Sequence, residues 1–276
     1  MAPFAYSSLI EKGWRYLHRL ICGSVLFFLI APIIVIIPLS FNSVPFFTYP
    51  MPGLSLRWYE EFFLTNRWQG ALQNSIFVAV SVMLLSTALG TLAALGLSRP
   101  NFPWRTAVMS LLISPMIVPG VITAVAVYFF YADIGLLNSY IGLILAHTTL
   151  ATPFVVIAVT ATLTGFDHSL SRAAAGLGAS PVTVFFKIIL PLILPGMISG
   201  ALFAFLVSFD DVMIALFLAG AELRTLPRVM FSGIREQISP TITAAATVQI
   251  LFSIVMLTSF ELLRRRSQRL RGIRET

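Results

Sequence analysis

Six near-continuous apolar segments decide most of what this chain can fold into. They lie near residues 20–41, 73–97, 106–131, 137–163, 193–220 and 241–263. About 20 such residues let a helix cross a hydrocarbon core of about 30 Å. No water reaches backbone N–H and C=O groups there, so each segment must satisfy its own, which excludes open sheets. A closed barrel would need short alternating segments instead of these long runs. The expectation is an all-α integral membrane protein with six transmembrane helices. Composition agrees: charged residues are 11% of the chain, against about 25% in a soluble domain. That is too little polar surface to face water all round.

The net charge of +7 does not point to nucleic acid, because of where the charges sit. Six of the 18 basic residues (Arg264, Arg265, Arg266, Arg269, Arg271 and Arg274) follow the last apolar segment, where they suit anionic lipid headgroups. Placing the N-terminus in the cytoplasm puts thirteen basic residues inside and five outside. The positive-inside rule therefore expects both termini to be cytoplasmic. Lys12, Arg15 and Arg19 precede the first segment as in a signal peptide, but its apolar run is too long and lacks a small-residue cleavage site, so an uncleaved span is expected. The chain then divides into a cytoplasmic segment (1–19), a first helix with a periplasmic loop (20–69), a transmembrane core (70–263) and a basic tail (264–276).

Pro32, Pro38, Pro115, Pro119 and Pro153 fall inside spans. Each either shapes a helix or breaks it along a substrate path. Gly196 and Gly200 form a G-x-x-x-G pair that permits close helix approach. Catalytic chemistry has no foothold. No G-x-x-x-x-G-K-[ST] phosphate loop occurs, and His18, His147 and His168 lack metal-ligand spacing. Cys22 stands alone and forms no internal disulfide. His147 is read either as lining a pathway or as a hydrogen-bonded structural histidine.

Between the fourth and fifth segments, residues 164–192 read "TGFDHSLSRAAAGLGASPVTVFFKIILPL". The alanines favour a helix, with Asp167 or Ser169 as its N-cap. Gly178 suits the left-handed residue that ends it. Ser180 and Pro181 restart a helix as N-cap and first helical residue. That helix presents Val184, Phe185, Ile188 and Ile189, and Leu190–Pro191 is expected to turn the chain back towards the membrane. Two short helices joined at a glycine would form a compact protrusion able to enter a groove in another protein.

This stretch resembles the EAA loop of permease subunits of type I ABC importers, the binding-protein-dependent systems. Ala173, Ala174, Gly178, Ile188, Leu190 and Pro191 match that pattern, and Ala179, Ser180 and Pro181 lie within it. The likeness extends over about residues 70–263 and includes "NS" at 74–75. Arg172 departs from it, standing where the family carries an acidic residue. The resemblance implies an inner-membrane complex with a second, non-identical permease subunit, an ATPase dimer and a periplasmic substrate-binding protein. ATP and Mg would be held by the ATPase, leaving this chain without a cofactor. The loop would transmit ATP-driven closure to the pathway.

The fifth segment carries "SFDDVMIALFLAG" at 208–220. A carboxylate at mid-bilayer costs about 2.5–3.5 kcal/mol on insertion scales, so Asp210 and Asp211 need a reason to be there. At 1.5 Å per residue they lie about 25 Å along the helix from Ile193, in its outer part. They cap the span, or together with Ser208 they face a pathway; the apolar run from 212 to 220 beyond them favours the pathway. Neighbouring helical residues diverge by about 100°, so only one aspartate can face it squarely. The same stretch, with "TLPRVMFSGIREQISPTITAAAT" at 225–247, resembles the polyamine-type permeases of that family. This implies a cationic amine substrate, with another small organic solute as the alternative. An ion-coupled carrier is the rival class, but the inverted repeats that mark such carriers are not evident. Arg235 and Glu236, in "IREQISP", are either a binding-protein contact or a solvated loop.

Overall fold

The computed structural model describes residues 9–99, 102–165, 167–236 and 238–270. Those residues form twelve α-helices and one π-helical turn. The helices are α1 (Leu9–Leu39), α2 (Arg57–Leu64), α3 (Asn66–Leu97), α4 (Arg105–Ile117), α5 (Gly120–Asp133) and α6 (Tyr140–Thr164). They continue as α7 (His168–Gly176), α8 (Pro181–Val184), the π turn (Phe185–Ile189), α9 (Leu190–Asp210), α10 (Met213–Leu218), α11 (Leu226–Glu236) and α12 (Pro240–Leu270). Five helices are long and apolar enough to cross a membrane, or six if α4 and α5 count as one bent span. Residues 271–276 of the basic tail lie outside the described residues.

The heart of the bundle is α3, α6 and α9, packed on one another. Val155 of α6, fully buried, sits between Gly90 of α3 and Gly200 of α9. A Cβ on Gly90 would come within 2.7 Å of Val155 Cβ, and one on Gly200 within 2.8 Å of Val155 Cα. At Gly196 an added Cβ would collide with the Thr162 hydroxyl. The G-x-x-x-G pair is therefore the α6–α9 contact surface. Helices in lipid gain no hydrophobic drive from meeting each other, so such close packing is what joins them. Gly200→Leu is expected to cost about 1–3 kcal/mol of stability by overpacking. It should lower the thermal midpoint of the detergent-solubilised protein. Gly96→Ala is the control, since nothing lies within 4 Å of a Cβ there.

Three spans differ from their apolar outlines. The first helix starts at Leu9 and takes in Lys12, Arg15 and Arg19. It packs against α12, and none of its most apolar stretch is buried within the chain. The third span is broken: α4 and α5 meet at 101°. Val118 is extended (ψ 131°) and Pro119 precedes α5. Proline has no N–H to donate and disfavours helical backbone at the residue before it, so Pro119 ends α4 there.

The fifth span runs from Pro181 to Asp210 and not from 193 to 220. Leu190–Pro191 does not turn the chain. Instead the helix widens for one turn, with Leu190 N–H reaching Phe185 O. Such a turn shifts the ladder just ahead of Pro191, which cannot donate to it, and the helix continues. At its far end, Asp211 is extended (φ −70°, ψ 125°) and breaks the run. The apolar stretch beyond becomes the separate helix α10, packed against α5.

One end of the bundle is closed by α2 and α11. Their buried faces, Phe62 from α2 with Leu226 and Val229 from α11, cluster with Trp68, Ala71, Ile242 and Ala245. The "NS" pair ties this end down. Asn74 Nδ2 donates to Glu222 O and Arg224 O, both at 3.1 Å. Tyr140 Oη donates to Asn74 Oδ1 at 2.7 Å, and Leu226 N–H donates to Ser75 Oγ at 2.7 Å.

Candidate functional site

Two regions carry the residues singled out by the sequence. The first is the loop between α6 and α9. Asp167 caps α7, its Oδ1 accepting Ser169 N–H at 2.8 Å. At the other end, Gly178 takes φ +84°. Its N–H donates to Ala175 O and that of Ala179 to Ala174 O, both at 3.0 Å. A left-handed residue is what lets the chain fold back to satisfy those carbonyls, and glycine adopts it without a Cβ clash. Ser180 then caps α8, Pro181 opening it, with Ser180 Oγ accepting Thr183 N–H at 3.3 Å.

The protrusion is α7 and α8 joined at Gly178, with α8 running on through the π turn into the fifth span. Arg172, Ala173, Gly178, Ser180 and Pro181 are exposed on it, while Ala174 and Ala179 are half-buried. Leu177 is 89% exposed and Val182 65%. Leu190 and Pro191 are half-buried within the helix and do not belong to that surface.

The second region is the break between α9 and α10, where the three polar residues of 208–211 part company. Ser208 and Asp211 both turn towards His147 of α6, whereas 210, still helical, points about 160° away from 208. Ser208 is buried, and its Oγ lies 2.9 Å from His147 Nδ1. It is not among the residues lining the cleft between α9 and α12, and it turns towards α6 instead. Asp211 has an 18% exposed side chain, and its Oδ1 accepts the N–H groups of Ile214 (2.8 Å) and Ala215 (3.4 Å), capping α10.

Asp210 faces the other way. Its Oδ1 accepts a hydrogen bond from Gln249 Nε2 of α12 at 3.0 Å. Both residues line a cleft of about 790 Å³ between α9 and α12, with Leu206, Met230 and Ser253 among its walls. Asp211 lines the same cleft. The arrangement gives an apolar cleft with an ionisable oxygen pair and a neutral amide, which suits an elongated cation with an aliphatic body. His147 is 1% exposed and faces the helix junction, not the cleft. Gln249 carries no sequence signal of its own. Only the packing of α12 against α9 brings it to a residue 39 positions away.

Comparison with known proteins places these features in a family. Residues 86–271 match the model of the binding-protein-dependent transport system inner membrane component. The PotC permease protein of a spermidine/putrescine transport system from Haemophilus influenzae is 34% identical over 240 residues, 87% of this chain and 93% of that one. The PotI permease protein of a putrescine transport system from Escherichia coli K12 is 35% identical, over 87% of this chain and 86% of its own. A bacterial ABC transporter that imports the acidic polysaccharide alginate shares the fold, with a TM-score of 0.72 at 17% identity, covering 96% and 99% of the two chains. The chain belongs to the family of binding-protein-dependent transport system inner membrane components. It is a multi-pass inner-membrane protein and a transmembrane permease subunit of an ABC importer.

Proposed function

We propose that this subunit passes a polyamine of the spermidine/putrescine type, handed over by a periplasmic binding protein and driven by ATP hydrolysis on a separate ATPase dimer. The observation that carries the substrate is the Asp210 carboxylate, which faces an apolar cleft in a chain 33–35% identical to polyamine permeases. A protonated amine pairs with a carboxylate through a charge-assisted hydrogen bond, and its methylenes suit the cleft's apolar walls. Uptake by a deletion strain carrying the gene, measured against a panel of amines and neutral solutes, tests this. Spermidine or putrescine should accumulate and neutral solutes should not; the reverse overturns it.

The loop at 164–192 is the ATPase-coupling element in this reading, with Leu177 and Val182 entering the ATPase groove and Gly178 setting their direction. Both termini lie in the cytoplasm with it in this reading, supported by the excess of basic residues on that side. A second, non-identical permease completes the pathway. ATP and Mg belong to the ATPase, and nothing in this chain's role calls for a bound metal. Arg172, on the exposed side of α7, meets the ATPase with a charge opposite to the family's acidic residue. Arg172→Glu is therefore expected to change ATPase affinity, with a difference that shrinks as salt rises. Binding measured at two ionic strengths checks it, and an unchanged, salt-insensitive affinity would make Arg172 bystander surface.

A further inference from the structure

Two broken helices meet at one point. The bend of the third span at Val118–Pro119 lies beside the break of the fifth at Asp211–Val212, because α5 packs on α10. A Cβ built on Gly120 would stand 4.0 Å from Met213 Cβ. With six residues, α10 is far too short to hold itself. Asp211 caps its first turn. At its other end Arg228 Nη1 donates to Ala219 O and Gly220 O at 2.6 and 2.7 Å. The signs are right for a helix dipole, negative at the start and positive at the end.

His147 reaches this junction from α6. Its Nδ1 is 2.9 Å from Ser208 Oγ, and its Nε2 is 3.6 Å from Asp211 Oδ1. That second distance is too long for a hydrogen bond, and Nε2, though enclosed, has no other partner. Leaving a buried ring nitrogen unpaired is costly. The Asp211 carboxylate is the charged acceptor beside Nε2, and the tautomer with N–H on Nε2 would aim it at Asp211 and leave Nδ1 to accept from the Ser208 hydroxyl.

We propose that His147 is a positioning residue. It holds Asp211 at the break, so that α10 stays docked on α5 beside the Asp210 cleft instead of continuing α9 as one straight helix. The inference rests on reading that cleft as the pathway, but its first test needs no substrate. With Cys22 replaced by serine, a Gly120→Cys/Met213→Cys pair has the Cβ spacing of a disulfide, about 3.5–4.5 Å. Cross-linking in the assembled complex then reports whether α10 is docked.

The pair should cross-link readily in the presence of His147 and about tenfold more slowly with His147→Leu, which keeps bulk but loses both nitrogens. His147→Gln should restore the rate, since its amide can donate to Asp211 while its carbonyl accepts from Ser208. Adding Asp211→Asn to His147→Leu should slow it no further, because the two residues act as one unit. Should His147→Leu not assemble, a fast rate for His147→Gln with a slow one for Asp211→Asn carries the same comparison. Equal rates for His147→Leu and the parent, or no rescue by glutamine, would overturn the proposal. Uptake should follow the cross-linking. If cross-linking changes while uptake of every solute stays constant, the positioning role stands and the pathway reading of the cleft fails.

Discussion

Gly178→Trp is expected to leave the protein folded and inserted while abolishing uptake and substrate-stimulated ATPase activity. At φ +84° a residue with a Cβ is strained, by about 1–2 kcal/mol. Yet nothing in the chain lies within 4 Å of where that Cβ would go, so the indole meets no internal wall. It would project from the turn that presents Leu177, which is itself 89% exposed. A large ring there blocks a groove-filling contact with the ATPase, and coupling fails by exclusion. Gly178→Ala carries the backbone strain without the bulk and should keep most of the activity. Measuring membrane insertion, co-purification of the ATPase and its stimulation for both variants separates the two effects. Normal stimulation in the tryptophan variant would remove the coupling role from this loop.

The second large effect concerns the aspartates. Asp210→Asn is expected to cut transport of a cationic amine by about tenfold to a hundredfold, the scale of a lost hydrogen bond to a charged group, about 1.5–3 kcal/mol. Volume is nearly unchanged, so packing loss does not confuse the result. Asp211→Asn should act differently, because that side chain caps α10 and stands by His147. Its asparagine variant keeps an acceptor for the Ile214 N–H and loses the charge opposite the imidazole. Transport of spermidine and putrescine alike should fall, by less than for Asp210→Asn. Binding-protein affinity, measured separately, should stay constant in both. Equal, near-wild-type uptake in the two variants would reduce the pair to a helix-end feature.

The helices were legible because lipid leaves so few alternatives. A run of about 20 apolar residues has to be helical, and local chemistry fixed the loop: Asp167, Gly178, Ser180 and Pro181 each sit where their side-chain or backbone preferences put them. Breaks inside apolar runs were harder to read. Pro119 lies among residues as apolar as their neighbours, and proline in a span signals a kink and a full break alike. Its pairing with extended Val118 emerges only in three dimensions. The break at Asp211 did leave a signal, since an aspartate three residues before an apolar helix position is an N-cap pattern. The apolar run to Gly220 concealed it.

What the sequence could not show is convergence. Asp210 meets Gln249, Ser208 meets His147 and Asn74 meets Glu222 and Arg224 across 39, 61 and about 150 residues of chain. Helical spacing alone did imply that Asp210 and Asp211 diverge, so that only one could face a pathway squarely. It did not say which face met α6 and which met a cleft. Packing places Ser208 in the interior and gives the two aspartates different partners on the cleft, Gln249 for Asp210 and the start of α10 for Asp211.

The most direct test of the account is ATP-dependent uptake of labelled spermidine by proteoliposomes holding the complete complex, with its binding protein supplied outside. Wild-type complex should accumulate label only when ATP is inside, and excess putrescine should compete while a neutral sugar should not. The same vesicles with Asp210→Asn should keep ATPase assembly but lose most of the accumulation. Accumulation without ATP, or a neutral solute carried in spermidine's place, would contradict it.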